Sequence, residues 1–583
     1  MNKNYKPRSA RTTIARLLST LARSRRLFAL ALLLTLASNI LGLIGPALAG
    51  QAIDAISSSG VLWDVVLSKC LLMLACYALS ALLSYCLQLL MISLSRGVAY
   101  RMREQAFDRL MRLPVSYYDK NPSGDIISRI SYDIDTVNES LSHDIVQILS
   151  TVVTVVGSLG FMLSISPRLL LVFCVTVPLS LYAGKRRATV TKPLFRARSR
   201  KLGELNGFVE EQLSGLTTLR AYCREGATLE KFDAINEEAV TAYYRSEYEG
   251  SMIGPMVNFI NNLSLALVSV FGALLFVSGQ MSVGSISSFI LYSRRFSGPI
   301  NEAANVFAEL QSALAAAERV FAMIDEPEET PDAPHAAPLT QADGHVEMER
   351  VTFGYEADKP ILKDFSVDAQ PGRLIAVVGP TGAGKTTLIS LLMRFYDAQQ
   401  GHIRVDGRDT LDITRDSLRA AYAMVLQETW LFHGTVYENL RYANPDATRE
   451  QVIAAAKAAH ADGFIRRLPQ GYDTLLTDDG ANISKGQKQL LTIARAMLLE
   501  SRMVILDEAT SNVDTRVEKL IQKGMRELMA GKTCFVIAHR LSTIESADEI
   551  LVVDHGEIVE RGTHRSLMQA KGFYHNMYRA QFE

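Results

Sequence analysis

Residues 374–396 read LIAVVGPTGAGKTTLISLLMRFY. The first five are apolar, as in a strand buried on both faces. The last nine, LISLLMRFY, are mostly apolar and read as a helix. Between them lies GPTGAGKTT, the pattern GxxxxGK[ST] in the strand–loop–helix context that a phosphate-binding loop requires. Gly379, Gly382 and Gly384 let the backbone curl so that its N–H groups face phosphate oxygens, with Pro380, Thr381 and Ala383 completing the loop. Lys385 supplies a point charge to the outer phosphates, Thr386 offers its hydroxyl to Mg²⁺, and Thr387 continues the helix start.

Two further strands point to the same chemistry. MVILDE at 503–508 ends in two carboxylates: Asp507 suits a Mg²⁺ site, and Glu508 is placed to polarise an attacking water. VIAH at 536–539 ends in His539, within reach of a γ-phosphate. A lone histidine at a strand end is usually structural; here it closes a set. Gln427, in MVLQE, is persuasive only in that company, as a link between a metal–water site and a neighbouring surface.

A second anion-ready feature stands at 481–493, ANISKGQKQLLTI. Ser484, Gly486 and Gln487 lie where a loop turns into an apolar helix, whose first N–H groups and positive dipole end favour phosphate. Lys485 sits among them.

The 583 residues are enough for more than one domain. With 61 basic and 61 acidic residues, charge gives no support to a nucleic-acid partner. Apolar residues concentrate before 325. Charge is absent from 27–53, 70–95, 145–167 and 169–184, and again from 250–293, a run of 44 residues that holds one span and the start of another. Six spans are expected, near 27–49, 70–95, 145–166, 168–186, 252–278 and 284–310, with a turn at GQMSVG, 279–284. The first run is too long for a secretory signal, and more spans follow.

Lys3, Lys6, Arg8, Arg11, Arg16, Arg23, Arg25 and Arg26 precede the first span without an acid, and 185–201 holds a second basic cluster. A transit peptide would share the first feature, but orientation explains both. The opposite loops carry only Lys69 and Arg168, so both termini are expected in the cytoplasm. The long inner loops, 96–144 and 185–249, read as helices continuing out of the membrane. Residues 326–344, rich in Pro, Ala and acid, read as a linker between a domain at 1–325 and one at 345–583. The six cysteines form no CxxC pair and read as reduced packing residues.

Together these stretches resemble the ATP-binding cassette superfamily, and in it the exporter half-transporters of bacteria. The resemblance covers nearly the whole chain: phosphate loop 379–387, Gln427, signature motif ISKGQ at 483–487, Asp507–Glu508, SNVD at 511–514, His539, and Tyr355 of FGYE, which matches the aromatic that stacks on adenine. LPVSYYDKNPSGDIISRISYDID at 113–135 is similar to the first intracellular loop, with a coupling helix expected near 125–133, and 210–225 is similar to the second. The implied fold is an all-α six-helix transmembrane domain with long cytoplasmic helical extensions, followed by an α/β P-loop cassette. In this family two cassettes dimerise head to tail, each ATP lying between one chain's phosphate loop and the other's signature motif. That answers why one chain carries two anion sites.

The resemblance implies an ATP hydrolase coupled to transport in the bacterial inner membrane. Its motif is usually LSGGQ, and Lys485 departs from it. With Glu508 retained, the chain is similar to the glutamate-bearing member of heterodimeric exporters, so a second half-transporter is the expected partner; the alternative is a homodimer with Lys485 facing solvent. The expected cargo is an amphipathic small molecule, lipid or peptide. Arg294 and Arg295, inside the sixth span, and Asn258, Asn261 and Asn262 in the fifth are cavity candidates; pairing of the arginines with Glu302 or Glu309, and interhelix bonding of the asparagines, are the plainer alternatives. An exporter with a built-in protease is disfavoured, since no domain precedes the first span. An importer of a metal chelate on the same fold and a non-transporting regulatory ATPase are the runners-up.

Overall fold

The computed structural model describes residues 10–22, 25–57, 61–356, 358–427, 429–477, 479–480, 482–507, 514–537 and 544–582. It divides into two compact units, Met1–Met111 with Ser123–Glu326, and Arg112–Pro122 with Pro327–Glu583.

The first unit is helical: α1 Ala10–Ala22, α2 Arg25–Ser57, α3 Trp63–Arg112, α5 Ser123–Ser128, α6 Ile134–Ile165, α7 Pro167–Ser214, α8 Leu216–Ala221, α9 Glu225–Ser251, α10 Ile253–Val277 and α11 Val283–Ile324; α4, Val115–Lys120, falls in the second unit. Among the described residues, five stretches can cross a membrane by length and composition: Arg25–Ile56, Trp63–Arg112, Ser123–Ile165, Pro167–Ser214 and Glu225–Val277. The sixth expected span lies inside α11, which is long enough at 42 residues but carries Arg294 and Arg295 and so is less apolar. The turn expected at 279–284 is found between α10 and α11, with Gly279 at φ +72°.

Small residues bring α2 and α11 together. A Cβ on Gly50 would lie 2.5 Å from the Gly284 carbonyl oxygen, and one on Gly284 would lie 1.9 Å from that of Gly50. One turn on, the Asp54 carboxylate accepts from the Gly284 N–H and the Ser282 hydroxyl, each at 2.7 Å, and so satisfies the start of α11. Tyr292 and Ser288 donate to the carbonyls of Leu43 and Pro46. α11 also lies along α6, where the Arg319 guanidinium grips the buried Asp133 through two bonds of 2.8 and 2.5 Å. α7 packs instead along α9 and α10.

Among the described residues the second unit holds twelve strands: β1 Val346–Phe353, β2 Leu362–Ala369, β3 Leu374–Val378, β4 Gln400–Val405, β5 Arg408–Asp409, β6 Tyr422–Val425, β7 Gly434–Thr435, β8 Leu475–Leu476, β9 Met503–Asp507, β10 Thr533–Ile537, β11 Glu549–Asp554 and β12 Glu557–Gly562. The main sheet runs β12-β11-β3-β10-β9-β6, parallel except at the β12 edge. Its strands are apolar on both faces because both are covered. Ile375 and Val377, Met503 and Ile505, Phe535 and Ile537 face a core shared with the sheet β2-β1-β4-β5. Their neighbours Ala376 and Val378, Val504 and Leu506, Cys534 and Val536 face a second core filled from the helical side.

Two expectations change. A coupling helix is expected near 125–133, but the part of 113–135 that groups with the second unit is 112–122, which contains α4. Of the cysteines Cys534 is buried and Cys76 partly so; Cys70, Cys86, Cys174 and Cys223 are exposed, so a packing role does not extend to those four.

Candidate functional site

The carboxyl ends of β3, β10 and β9 lie side by side, with Ile537 paired to both Val377 and Asp507. In open parallel sheets this edge is where ligands bind. The loop 379–384 leaves β3 here and enters the helix Lys385–Leu392 through Gly384, which is left-handed at φ +102°. Gly379 cannot carry a side chain, since a Cβ would lie 2.1 Å from the Val553 carbonyl oxygen. The loop is therefore held against the sheet with its backbone free to face a ligand. Lys385 is buried, and its Nζ donates to the Gly379 and Pro380 carbonyls at 2.7 and 2.9 Å. Burial pulls its pKa below the usual lysine value, and the Asp507 carboxylate opposes that pull. The ammonium is thus held against the loop's own carbonyls, where a bound phosphate would meet it.

Thr386 is exposed at the helix start and Thr387 is buried. The Tyr355 hydroxyl lies 3.4 Å from Thr387 Oγ1, and its half-exposed ring meets Phe353 and Tyr396 edge-on at 5.2 and 5.1 Å. An aromatic face is thus offered beside the phosphate loop, as stacking on a base requires. Gln427 follows β6 and is exposed. Asp507 ends β9, half-buried. Glu508 and His539 lie outside the described residues.

The second anion-ready feature is a helix start, as expected. Ser484 caps the helix Lys485–Met497: its hydroxyl accepts from the Gln487 N–H at 3.3 Å, and Gln487 Oε1 accepts from the Ser484 N–H at 2.9 Å. Ile483 is buried and Gly486 is buried, whereas Lys485 is exposed. The cap fixes where the helix begins and leaves the Lys485 side chain outward.

In the helical unit Arg295 lies 5.9 Å from the Tyr77 ring centroid and is partly buried, while Arg294, Asn258 and Asn262 are exposed and Asn261 is partly so. These residues do not line one described cavity. A cavity of about 440 Å³ opens elsewhere, between α3, α6 and α11, where Gln88, His143, Asp144, Gln147 and Glu309 share the lining with Leu87, Met91, Val146 and Val306. Sequence reading missed it; Gln88 and Gln147, polar breaks in apolar runs, were its signal.

Comparison with known proteins agrees with the geometry. Residues 28–300 match the model of the ABC transporter transmembrane region, and 362–511 match that of the ABC transporter. A fatty acid ABC transporter ATP-binding/permease protein of Mycobacterium bovis is 43% identical over 91% of this chain and 84% of its own. The chain belongs to the ATP-binding cassette transporters. An ATP-dependent lipid A-core flippase of Hahella chejuensis is 37% identical over 88% of each chain. The structure of a bacterial Atm1-family ABC exporter with ATP bound superposes with TM-score 0.77 and 29% identity, over 96% of this chain and 98% of that one. This ABC exporter half is a multi-pass membrane protein whose cassette binds ATP and hydrolyses it to drive transport, and such halves work as dimers.

Proposed function

We propose that the chain is one half of an exporter that moves an amphipathic molecule of the lipid or fatty-acid class out of the cell by alternating access, and that its partner is a different half-transporter. The observation that carries this reading is Lys485: it is exposed at the first position of a well-capped helix whose start is suited to phosphate, where the family usually has glycine. An ammonium group there alters the surface presented to an ATP held by the other chain. The named cargoes of the fatty-acid and lipid A relatives support the substrate class.

In this mechanism the loop 379–387 and Lys385 hold the phosphates and Tyr355 stacks on the base. Thr386, Gln427 and Asp507 are all oxygen donors, the set that suits Mg²⁺, and they would hold it. The ion would neutralise charge on the phosphates. Glu508 orients water and His539 contacts the γ-phosphate. Ser484, Gly486 and Gln487 close on the ATP of the partner chain. Both termini lie in the cytoplasm and the protein in the inner membrane. Arg294 and Arg295, with Asn258 and Asn262, face the transport cavity of the dimer.

The test is Mg·ATP hydrolysis by the chain alone in nanodiscs, against a Glu508→Gln control, with and without added fatty acid. Negligible hydrolysis with ATP binding retained supports an unlike partner. Robust hydrolysis that the control abolishes means a homodimer and overturns that part. Absence of stimulation by fatty acid, once a competent dimer is assembled, overturns the substrate class.

A further inference from the structure

A groove of about 420 Å³ runs between the start of α7 and the end of α10. Leu171 and Val175 form one wall, and Leu267, Phe271 and Leu274 the other; the lining is apolar except at its mouth, where Arg168 stands. From Arg168 to Val175 the helical rise gives a depth of about 10 Å.

Arg168 is the single charged residue between 145 and 184. It is exposed in the second position of α7, after Ser166, whose side chain makes no capping bond. The mouth therefore combines a guanidinium with the positive end of a 48-residue helix, while the walls offer no polar partner. Such a site complements a molecule with an anionic end and an apolar tail. Its volume lies near the low end of ligand pockets, which suits one chain rather than two.

We propose that this groove binds a single-chain anionic amphiphile, a free fatty acid, with its carboxylate on Arg168 and its acyl chain between α7 and α10. The inference deepens the lipid-export reading and rests on it for the source of the ligand: the occupant is cargo, at the membrane face opposite the basic inner loops.

The test uses the full-length chain in phosphatidylcholine nanodiscs with a diazirine-bearing fatty acid, and maps the photo-labelled peptides. Label is expected on 171–175 and 267–274, competed by unlabelled fatty acid but not by its methyl ester. Arg168→Gln should lower it about fivefold, the effect of losing one partly desolvated charge pair. Leu171→Trp should fill the groove and remove the label while keeping Arg168. Monodisperse elution of both variants establishes that they fold. Label spread evenly over lipid-facing helices, equal competition by the ester, or no loss in Arg168→Gln would show annular lipid and overturn the proposal. Absence of label from the groove overturns it too, whether a second copy covers the surface or nothing does. Fatty-acid stimulation of hydrolysis without groove label leaves the export reading standing and this site rejected. Groove label without stimulation does the reverse.

Discussion

At the residue scale the informative position is Lys485. The reciprocal bonds of Ser484 and Gln487 define the helix start without any help from Lys485, so its side chain is free to act on a neighbour. Lys485→Gly should then raise hydrolysis by the chain alone about tenfold, the equivalent of roughly 1.4 kcal/mol in barrier. An unchanged rate would make Lys485 a tolerated variation. Ser484→Ala should act differently: it removes the cap, costs about 1 kcal/mol, and lowers thermal stability and hydrolysis together. Most of the candidate nucleotide residues were legible one by one, because each chemistry needs a residue type at a fixed spacing from a strand end. What sequence could not supply was the state of Lys385, whose burial and bonds to Gly379 and Pro380 depend on how the loop folds back.

At the element scale, α4 links function to fold. Its Asp119 accepts a bond from the Tyr396 hydroxyl, and the Tyr396 ring packs against Tyr355 and Phe353. Burial, helped by Asp119, pushes the Tyr396 phenol above its usual pKa, so it stays protonated and donates. The aromatic beside the candidate adenine site is thus two contacts from a segment that continues into the membrane helices. Tyr396→Phe keeps the ring packing and removes the bond, worth about 1 kcal/mol. The variant should bind ATP with KM within about twofold of the parent, since such a change is under 0.5 kcal/mol, yet lose stimulation by transported amphiphile. Equal stimulation in parent and variant would show that the bond carries no coupling.

The linker shows the limits of pattern reading at this scale. Its composition reads as a linker and says nothing of what its acids touch. In the structure Glu329 pairs with Arg419 at 2.5 Å, and Asp332 reaches the buried Arg394 and Arg415 at 3.5 and 3.2 Å. Composition reads as a boundary here, and only the fold brings these three arginines under it. Asp332→Ala should destabilise the cassette by about 2 kcal/mol, because Arg415 stays buried with fewer partners; an unchanged Tm would mean Asp397 and Glu329 suffice. The coupling segment was misplaced for a similar reason. VSYYDK and SGDIISRISYD are both short and amphipathic, and nothing local says which one meets the cassette.

At the scale of the whole molecule, orientation is the claim that the cysteines can test. The basic residues of 1–26 and 185–201 argue that both termini and the loop 185–249 are cytoplasmic. Cys223 lies in that region, exposed after α8, while Cys534 is buried with its thiol pushed up to about 12 by desolvation. Thiolate is the reactive form, so Cys534 should stay unmodified in the folded protein whichever side the reagent reaches. A membrane-impermeant maleimide should therefore label Cys223 in inside-out vesicles and spare it in right-side-out ones, with Cys534 reacting only after denaturation. Labelling of Cys223 from outside would reverse the orientation and, with it, the side of the membrane on which ATP is spent. Labelling of Cys534 in the native protein would mean that β10 opens, which its place between β3 and β9 at the centre of the sheet argues against.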